Sequence, residues 1–203
     1  MPDRLVKTEG FILGREPAGE TFDAYKLFSP RHGLLRCLGR QSSRASAKAL
    51  PDLFDHASLQ LEQSFRSQAW FIREYELKHR YQQIGRNYHA FSRASEFCKI
   101  LAGNLAHASS AEELHSLLSQ ALEGWESGAK PDIVYLKVLY LLAYKEGYPV
   151  KQQWWPSLSP EDRQATTAIL NTKLQEQNCK DHQVTALIES LKKWLLCHTD
   201  IAL

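Results

Sequence analysis

A run of basic residues near the N-terminus is the strongest chemical signal in this sequence. The six residues are Lys26, Arg31, Arg36, Arg40, Arg44 and Lys48. No acidic residue lies between Asp23 and Asp52, and cations gathered without local counter-charges are typical of a surface that binds an anion. Because the run crosses two strand-like segments and ends in a small, polar loop, its layout favours an extended phosphate backbone over a single small molecule.

A second stretch without acidic residues, 78–95, extends this basic pattern. It contains Arg80, Arg86 and Arg93, and on a helix Arg86 and Arg93 would share one face with His89. With the first run, these three arginines complete a set of nine residues predicted to bind a nucleic-acid strand, either DNA or RNA. If about five phosphates are contacted, the logarithm of single-strand affinity should fall with the logarithm of salt at a slope of roughly −3.5. The plain alternative is that the basic residues merely solvate an exposed sheet face.

Composition limits the classes of protein that the chain can belong to. Its 203 residues fit one compact domain or two small ones, and a hydrophobic share of 43% is ordinary for a globular protein. The net charge of +2 is too small to indicate nucleic-acid binding by itself. Residues 1–80 have a net charge of +3 and residues 81–203 have a net charge of −1, so the positive charge is concentrated in the first part.

The sequence contains none of the common motifs for catalysis, metal binding or membrane insertion. No nucleophile elbow, H-E-x-x-H pair, phosphate-binding loop or dinucleotide-binding glycine pattern occurs. The four cysteines form no C-x-x-C pair, which favours free thiols over a zinc site. No signal peptide or membrane-length apolar run occurs. We expect a cytoplasmic protein without enzymatic activity, cofactor, metal or membrane partner, although catalysis by residues that folding alone brings together stays open.

The first 80 residues contain five segments with the alternation and composition of β-strands. The predicted strands are Leu5–Leu13, Ala24–Phe28, Leu34–Leu38, Ala57–Glu62 and Trp70–Leu77. Five short strands in about 75 residues are typical of a small barrel, and the five-stranded oligonucleotide/oligosaccharide-binding (OB) fold is the most economical candidate. A five-stranded sandwich and an SH3-like barrel are the alternatives.

From about residue 86 the apolar residues recur at helical spacing, which predicts an all-helical domain over residues 81–203. A capping box at Ser110 begins one helix, and Pro131 begins another that Gly147 ends. Ser159 followed by Pro160 marks a further start, and a last helix is predicted over residues 182–198. The chain as a whole is therefore predicted to be an α+β protein, with an OB-fold barrel followed by helices.

The sequence predicts whether four apolar residues of the helical half are buried or lie at its surface. Phe91 and Leu196 fall on the predicted apolar stripes of their helices, so we expect both side chains to be buried. Trp154 and Trp155 follow the predicted end of a helix. They either cover the end of the helical bundle or line an apolar groove that binds a partner peptide.

Several short motifs occur along the chain in a distinctive order. They are Gly10-Phe11-Ile12-Leu13, Gly19-Glu20 with Asp23, Leu27-Phe28-Ser29, Gly33, Gly39-Arg40, Ser43-Arg44 and Leu50-Pro51-Asp52-Leu53-Phe54. Together these motifs resemble the N-terminal pattern of the RecO family of bacterial recombination mediators. The stretch from Leu136 to Gly147, followed by Tyr148 and Pro149, resembles the core helix of the same family.

The resemblance implies a DNA-repair function on an OB-fold domain followed by a helical domain. RecO proteins bind single- and double-stranded DNA, anneal complementary strands and help to load the recombinase at gaps. The partners implied are a RecR-like protein and the acidic C-terminal tail of the single-strand-binding protein, and the location implied is cytoplasmic, with the nucleoid. The family often carries a cysteine zinc module after the core helix, whereas residues 149–160 here contain no cysteine.

A different class of function fits the same residues. In this interpretation the chain is a protein-interaction adaptor, and the basic hairpin meets an acidic partner peptide without appreciable affinity for DNA. The two functions are compatible, because the tail of a single-strand-binding protein is itself an acidic peptide. Binding of that tail by a chain with no measurable DNA affinity would favour the adaptor alone.

Overall fold

A computed structural model describes residues 5–41, 50–65 and 69–203. Arg44 and Lys48 of the predicted DNA-binding set lie outside the described residues. The chain divides into two compact units, Met1–Tyr81 and Gln82–Leu203. The first contains the strands and the second contains the helices, so the chain has an α+β fold.

All five predicted strands are confirmed, and each is longer than predicted. Their bounds are β1 Leu5–Ala18, β2 Phe22–Ser29, β3 Gly33–Arg40, β4 His56–Gln63 and β5 Trp70–His79. The extra residues are largely polar or glycine, because backbone hydrogen bonds continue a strand pair beyond the point where apolar alternation stops. The extension of β1 as far as Ala18 matters for the charged surface, since it carries Glu16 alongside β2.

The five strands pair in the closed order β1-β2-β3-β5-β4. Four of the pairings are antiparallel, and the pairing of β3 with β5 is parallel. The enclosed core consists of one inward-facing set of side chains from β1 to β4, with Leu35, Trp70, Ile72 and Tyr75 packed against it. The central residues are Ile12, Tyr25, Leu27, Cys37, Ala57, Leu59 and Leu61.

Two glycines permit the strands of the barrel to pack closely. A Cβ atom on Gly10 would lie 2.1 Å from the carbonyl oxygen of Phe28, which is much shorter than any normal contact. A Cβ atom on Gly39 would lie 2.8 Å from Cε2 of Tyr25 in the barrel core. The backbone of β1 therefore packs against β2, and that of β3 against the ring of Tyr25, at distances that only glycine allows.

Seven α-helices form the second unit within the described residues. Their bounds are α1 Gln82–Arg86, α2 Tyr88–Asn104, α3 Ala111–Glu126, α4 Pro131–Lys145, α5 Val150–Ser157, α6 Pro160–Asn171 and α7 Asp181–His198. The five helices that the sequence predicts are α2, α3, α4, α6 and α7, and all are confirmed. The sequence did not predict α1 or α5. Helix α5 follows Pro149 directly, because proline ends a preceding helix and is equally well suited to begin the next.

The predicted helix ends are formed by the expected interactions. The hydroxyl of Ser110 accepts a hydrogen bond from the Glu113 amide at 3.3 Å, and that of Ser159 accepts one from the Asp162 amide at 3.1 Å. Gly147 has a φ of 85°, which only glycine adopts readily, and it ends α4 as predicted. Among the described residues, no helix is both long enough and apolar enough to cross a lipid bilayer.

Two predictions of burial on the helices are wrong. Leu196 of α7 is 66% exposed, whereas Trp194 and Leu195 are buried. One residue on from Leu195 turns about 100° around the helix, and this rotation carries Leu196 out of the packed face. Phe91 of α2 is exposed in the same way, because its neighbour Ala90 occupies the inward position.

Candidate nucleic-acid interface

The outward face of the β2–β3 hairpin carries most of the described residues of the basic run. In the strand register Lys26 lies opposite Arg36, and Phe22 lies opposite Arg40. Arg31 lies in the turn between the two strands. Tyr25 and Cys37, which alternate with these residues along the strands, point into the barrel core. The core side chains of the hairpin therefore face inward, and Lys26, Arg36 and Arg40 face outward, as strand alternation predicts.

Three arginines of this hairpin, Arg31, Arg36 and Arg40, are called the arginine row below. All three are exposed, and none forms an ion pair with another residue in the described ranges. Lys26 opposite Arg36 places like charges side by side, which costs stability in a strand pair. The arginine row is therefore a concentration of positive charge that the described part of the chain does not neutralise.

Lys26 differs from the arginine row because it has a carboxylate partner. Its Nζ lies 3.2 Å from Oε1 of Glu16, so the prediction that Lys26 lacks a counter-charge is wrong. The partner comes from the extension of β1, which the sequence pattern did not predict. Both side chains are about half exposed, and such a pair contributes about 0–1 kcal/mol. A phosphate group would therefore compete with Glu16 for Lys26 at little cost.

Arg80 is held inside the first unit by a buried carboxylate. Its Nη2 and Nε donate to the two oxygens of Asp55 at 2.6 and 2.8 Å, and Asp55 is fully buried. The hydrogen bond with Asp55 raises the pKa of Arg80 above its ordinary value. Tyr75 also donates to Asp55, at 2.6 Å. The expectation that Arg80 is a free cation is wrong, because its guanidinium group is paired with the buried carboxylate of Asp55.

Arg93 is likewise neutralised, in this case within the helical unit. Its Nε donates to Asp132 at 2.7 Å and its Nη1 to Glu96 at 3.0 Å, and the guanidinium group lies over the ring of Tyr135 at 4.7 Å. His89 contacts the same Asp132 at 3.0 Å. Burial by itself would lower the pKa of Arg93, but its bonds to the carboxylates outweigh burial and raise it. The expectation of a free cation is therefore wrong for Arg93 as well.

Arg86 does not continue the face formed by His89 and Arg93. It ends the separate helix α1, and its Nη1 donates to the amide oxygen of Gln83 at 3.3 Å. Asn87 separates the two helices, and its side chain caps α2 by accepting hydrogen bonds from the backbone amides of His89 and Ala90. The single helical face that the sequence predicts for the three residues is therefore wrong. Arg86 is nevertheless exposed, and its described partner is neutral.

An aromatic pair beside the arginine row was not singled out from the sequence. The rings of Phe22 in β2 and Phe71 in β5 meet edge to face, with centroids 5.7 Å apart. They line a surface cavity of about 340 Å³ together with Leu38, Arg40 and the paired side chains of Glu62 and Arg73. The sequence could have indicated Phe71, because this residue falls on the outward face of its predicted strand. It could not have indicated Phe22, which lies outside the predicted bounds of its strand.

A larger apolar groove lies within the helical unit. It encloses about 840 Å³ between α3, α4, α5 and α6, and its aromatic lining comes from Tyr140, Tyr144 and Trp155. Trp154 is instead buried and donates its indole N–H to Ser190 at 3.1 Å. Trp154 therefore packs in the helical bundle, as the first interpretation of the tryptophan pair expects. Trp155 lines an apolar groove, as the second interpretation expects.

Within the described ranges, no group of three or more His, Cys, Asp or Glu side chains could hold a metal ion. Burial raises the pKa of Cys37 and of Cys98 to about 12, so both thiols are protonated and unreactive at neutral pH. No protein-family model matches the chain, and a search of curated proteins finds no match either. The resemblance to the RecO family therefore stays a prediction.

Proposed function

We propose that this chain is a non-enzymatic DNA-binding protein that acts as a recombination mediator in DNA repair. It binds single strands, anneals complementary strands and assists recombinase loading at gaps. The observation that carries the proposal is the arginine row on the outer face of β2–β3, exposed and without ion-pair partners in the described part of the chain. Guanidinium groups without counter-charges are well suited to phosphate oxygens, which they bind in a bidentate manner.

The arrangement of the strands supports the same function. The closed order β1-β2-β3-β5-β4 agrees with the connectivity expected of an OB-fold, and we infer that fold for the first unit. OB-folds bind oligonucleotides over the face of strands 2 and 3, where the arginine row lies. The motif resemblance to the RecO family adds strand annealing and recombinase loading to this proposal, with a RecR-like protein and DNA as partners.

Strand annealing in this proposal requires no catalytic group. Two complementary strands repel each other through their phosphates, and a protein that neutralises phosphates on both strands removes part of that repulsion. The strands then pair through their own bases. Of the nine residues predicted to bind DNA, we keep the arginine row as the central contact of the first unit, with Lys26 beside it. Arg86 stays a separate candidate on the surface of the helical unit. Arg80 and Arg93 are left out, because buried or half-buried carboxylates already hold them.

A binding assay with matched charge variants tests the proposal. Fluorescence anisotropy measures the affinity of the full chain for a labelled oligothymidylate at about 0.1 M salt. Replacing Arg31, Arg36 and Arg40 with Ala removes three phosphate contacts, which weakens binding by about 100-fold if each contact releases about 0.7 cation. The control removes three exposed lysines of the helical unit and the same total charge. It consists of the substitutions Lys99→Ala, Lys173→Ala and Lys193→Ala.

Two outcomes would contradict the proposed function. If the arginine variant and the lysine control bind equally well, the arginine row does not contact DNA. If the unaltered chain fails to anneal complementary strands at low salt, the mediator role is wrong even where binding is observed. Because phosphate contacts do not read sequence, the loss in the arginine variant should be equal for oligonucleotides of different base composition.

The apolar groove of the helical unit favours a second candidate function, the protein-interaction adaptor. Its walls combine the rings of Tyr140, Tyr144 and Trp155 with the lysines Lys137 and Lys151. A groove of this composition suits a peptide with both apolar and acidic side chains. The acidic tail of a single-strand-binding protein is the candidate peptide. The test is binding of a labelled acidic peptide to the unaltered chain and to Trp155→Ala. Peptide binding in the absence of any DNA affinity would favour the adaptor over the mediator.

A further inference from the structure

The aromatic pair on the barrel surface lies outside the central core cluster of the barrel. Phe22 and Phe71 are each partly exposed, and the central core of the barrel includes neither ring. Phe22 lies opposite Arg40 on one side of β3, and Phe71 lies opposite Leu38 on the other side. The two rings therefore reach over β3 from both sides and meet above it at 5.7 Å.

The cavity beside these rings has an apolar side and a charged side, and on the charged side the carboxylate of Glu62 is already paired with Arg73. Phe22, Leu38 and Phe71 provide the apolar wall, and Arg40 provides an exposed guanidinium group that has no ion-pair partner in the described residues. At about 340 Å³ the cavity lies near the lower end of the range for small-ligand sites, about 300–1,000 Å³. An anion with a flat, apolar surface suits both walls, and a nucleotide has this combination of phosphate and base.

We propose that Phe22 and Phe71 form a nucleobase-stacking site that makes the barrel prefer single-stranded over double-stranded DNA. This inference rests on the proposed DNA-binding function and adds a source of selectivity to it. In a duplex the bases are paired and stacked on one another, so their faces cannot reach a protein ring. In a single strand the faces are accessible, and stacking on an aromatic side chain strengthens binding by about 5- to 150-fold per base.

The position of the arginine row fits a strand that passes over this site. Arg40 lines the cavity, and Arg36 projects from the same face four residues earlier, about 13 Å away along β3. Arg31 continues the row into the turn. A DNA strand with one base against the rings would therefore place several successive phosphates along the arginine row. Charge complementarity favours this path for the strand.

The test compares single-strand and duplex affinity in variants of the full chain. Phe22→Leu and Phe71→Leu each keep an apolar side chain but remove a ring, and Phe22→Tyr and Phe71→Tyr restore a ring of similar size. We expect each leucine variant to lose at least about five-fold in affinity for oligothymidylate, with duplex affinity unchanged. The tyrosine variants should bind like the unaltered chain. Tyr88→Leu, which removes an exposed ring from α2, is the control.

Several outcomes would overturn the inference. Leucine variants that lose single-strand and duplex affinity equally, or that lose neither, exclude a stacking site on these rings. A second measurement does not depend on the folding of any variant: an oligonucleotide containing 2-aminopurine should change its fluorescence when it binds the unaltered chain, and no change would exclude stacking. Failure of the proposed function is distinguishable, because the unaltered chain would then bind neither kind of DNA.

Discussion

The carboxylate of Asp55 is a fully buried charge in the first unit. It is 0% exposed, and it accepts hydrogen bonds from Tyr75, from Arg80 and from the backbone amide of Asp52. It immediately precedes β4, next to Phe54, whose φ of 68° is unusual for a residue other than glycine. One side chain thus joins the segment before β4 to the end of β5. We predict that Asp55→Ala destabilises the barrel strongly.

The size of the effect follows from what the substitution leaves behind. Without the carboxylate, the hydroxyl of Tyr75 loses this acceptor, and the guanidinium group of Arg80 keeps only its hydrogen bond to the carbonyl oxygen of Leu50. Removing one partner of a buried ion pair costs about 3–5 kcal/mol. Because the side chain of Arg80 is 32% exposed and water can reach it, we expect the lower end, about 3 kcal/mol. Asp55→Asn retains one acceptor oxygen and should cost less, about 1–2 kcal/mol.

Native-state hydrogen exchange of the full chain, read by mass spectrometry on peptides from β4 and β5, measures this change directly. A loss of about 3 kcal/mol accelerates exchange of the most protected amides by roughly 150-fold. The control is Glu62→Ala, which breaks the pair with Arg73 on the surface of the same strands. Those side chains are 42% and 58% exposed, so the expected cost is at most about 1 kcal/mol. Equal effects of the two substitutions would refute the reasoning.

Three further predictions concern charge, pH and packing. If the arginine row supplies all the phosphate contacts, titration with salt should give a single-strand slope of about −2, and a slope near −3.5 would indicate about two contacts more. Burial alone would raise the pKa of Glu96, but hydrogen bonds from Lys192 at 2.5 Å and from Arg93 hold it below its ordinary value. The contribution of this carboxylate to the stability of the helical unit is therefore present above about pH 4.5 and is lost as the pH falls through the lowered pKa. Glu96→Gln should reduce the pH dependence of the unfolding free energy, measured by urea unfolding at pH 3–7. Gly10→Ala should unfold at a lower temperature than the unaltered chain by circular dichroism, because its Cβ atom would overlap the carbonyl oxygen of Phe28; an unchanged melting temperature would contradict the close packing of β1 on β2.

Much of the fold was predictable because its signals are local. The alternation in residues 57–62 predicts two unlike faces, and β4 alternates between buried and half-buried residues. Ser110 and Ser159 begin helices as predicted because the hydroxyl and the amide that it caps lie within one turn. The boundaries of β1 and β2 were less predictable, since their outer residues are paired by backbone hydrogen bonds that do not depend on side-chain type.

The candidate site was predictable only in part, because a charge is neutralised by whatever folding brings near it. The sequence correctly indicates that Arg36 and Arg40 share one face of the hairpin, since strand parity depends on position alone. The sequence does not indicate that Asp55 binds Arg80, which is 25 residues away along the chain. It also does not indicate that Asp132 binds Arg93, which is 39 residues away. Absence of acidic residues along the chain does not mean absence of acidic neighbours in space.

The sequence by itself therefore determined the strands, most of the helices, the parity of the basic hairpin and the residue types available for binding. The tertiary structure decided which cations keep their charge and which rings accompany them. Phe22 and Phe71 are 49 positions apart, and they meet because β3 pairs with β2 on one side and with β5 on the other. Strand pairing of this kind is non-local, and the hydrogen bonds that create it carry no signature in the side-chain pattern of either segment.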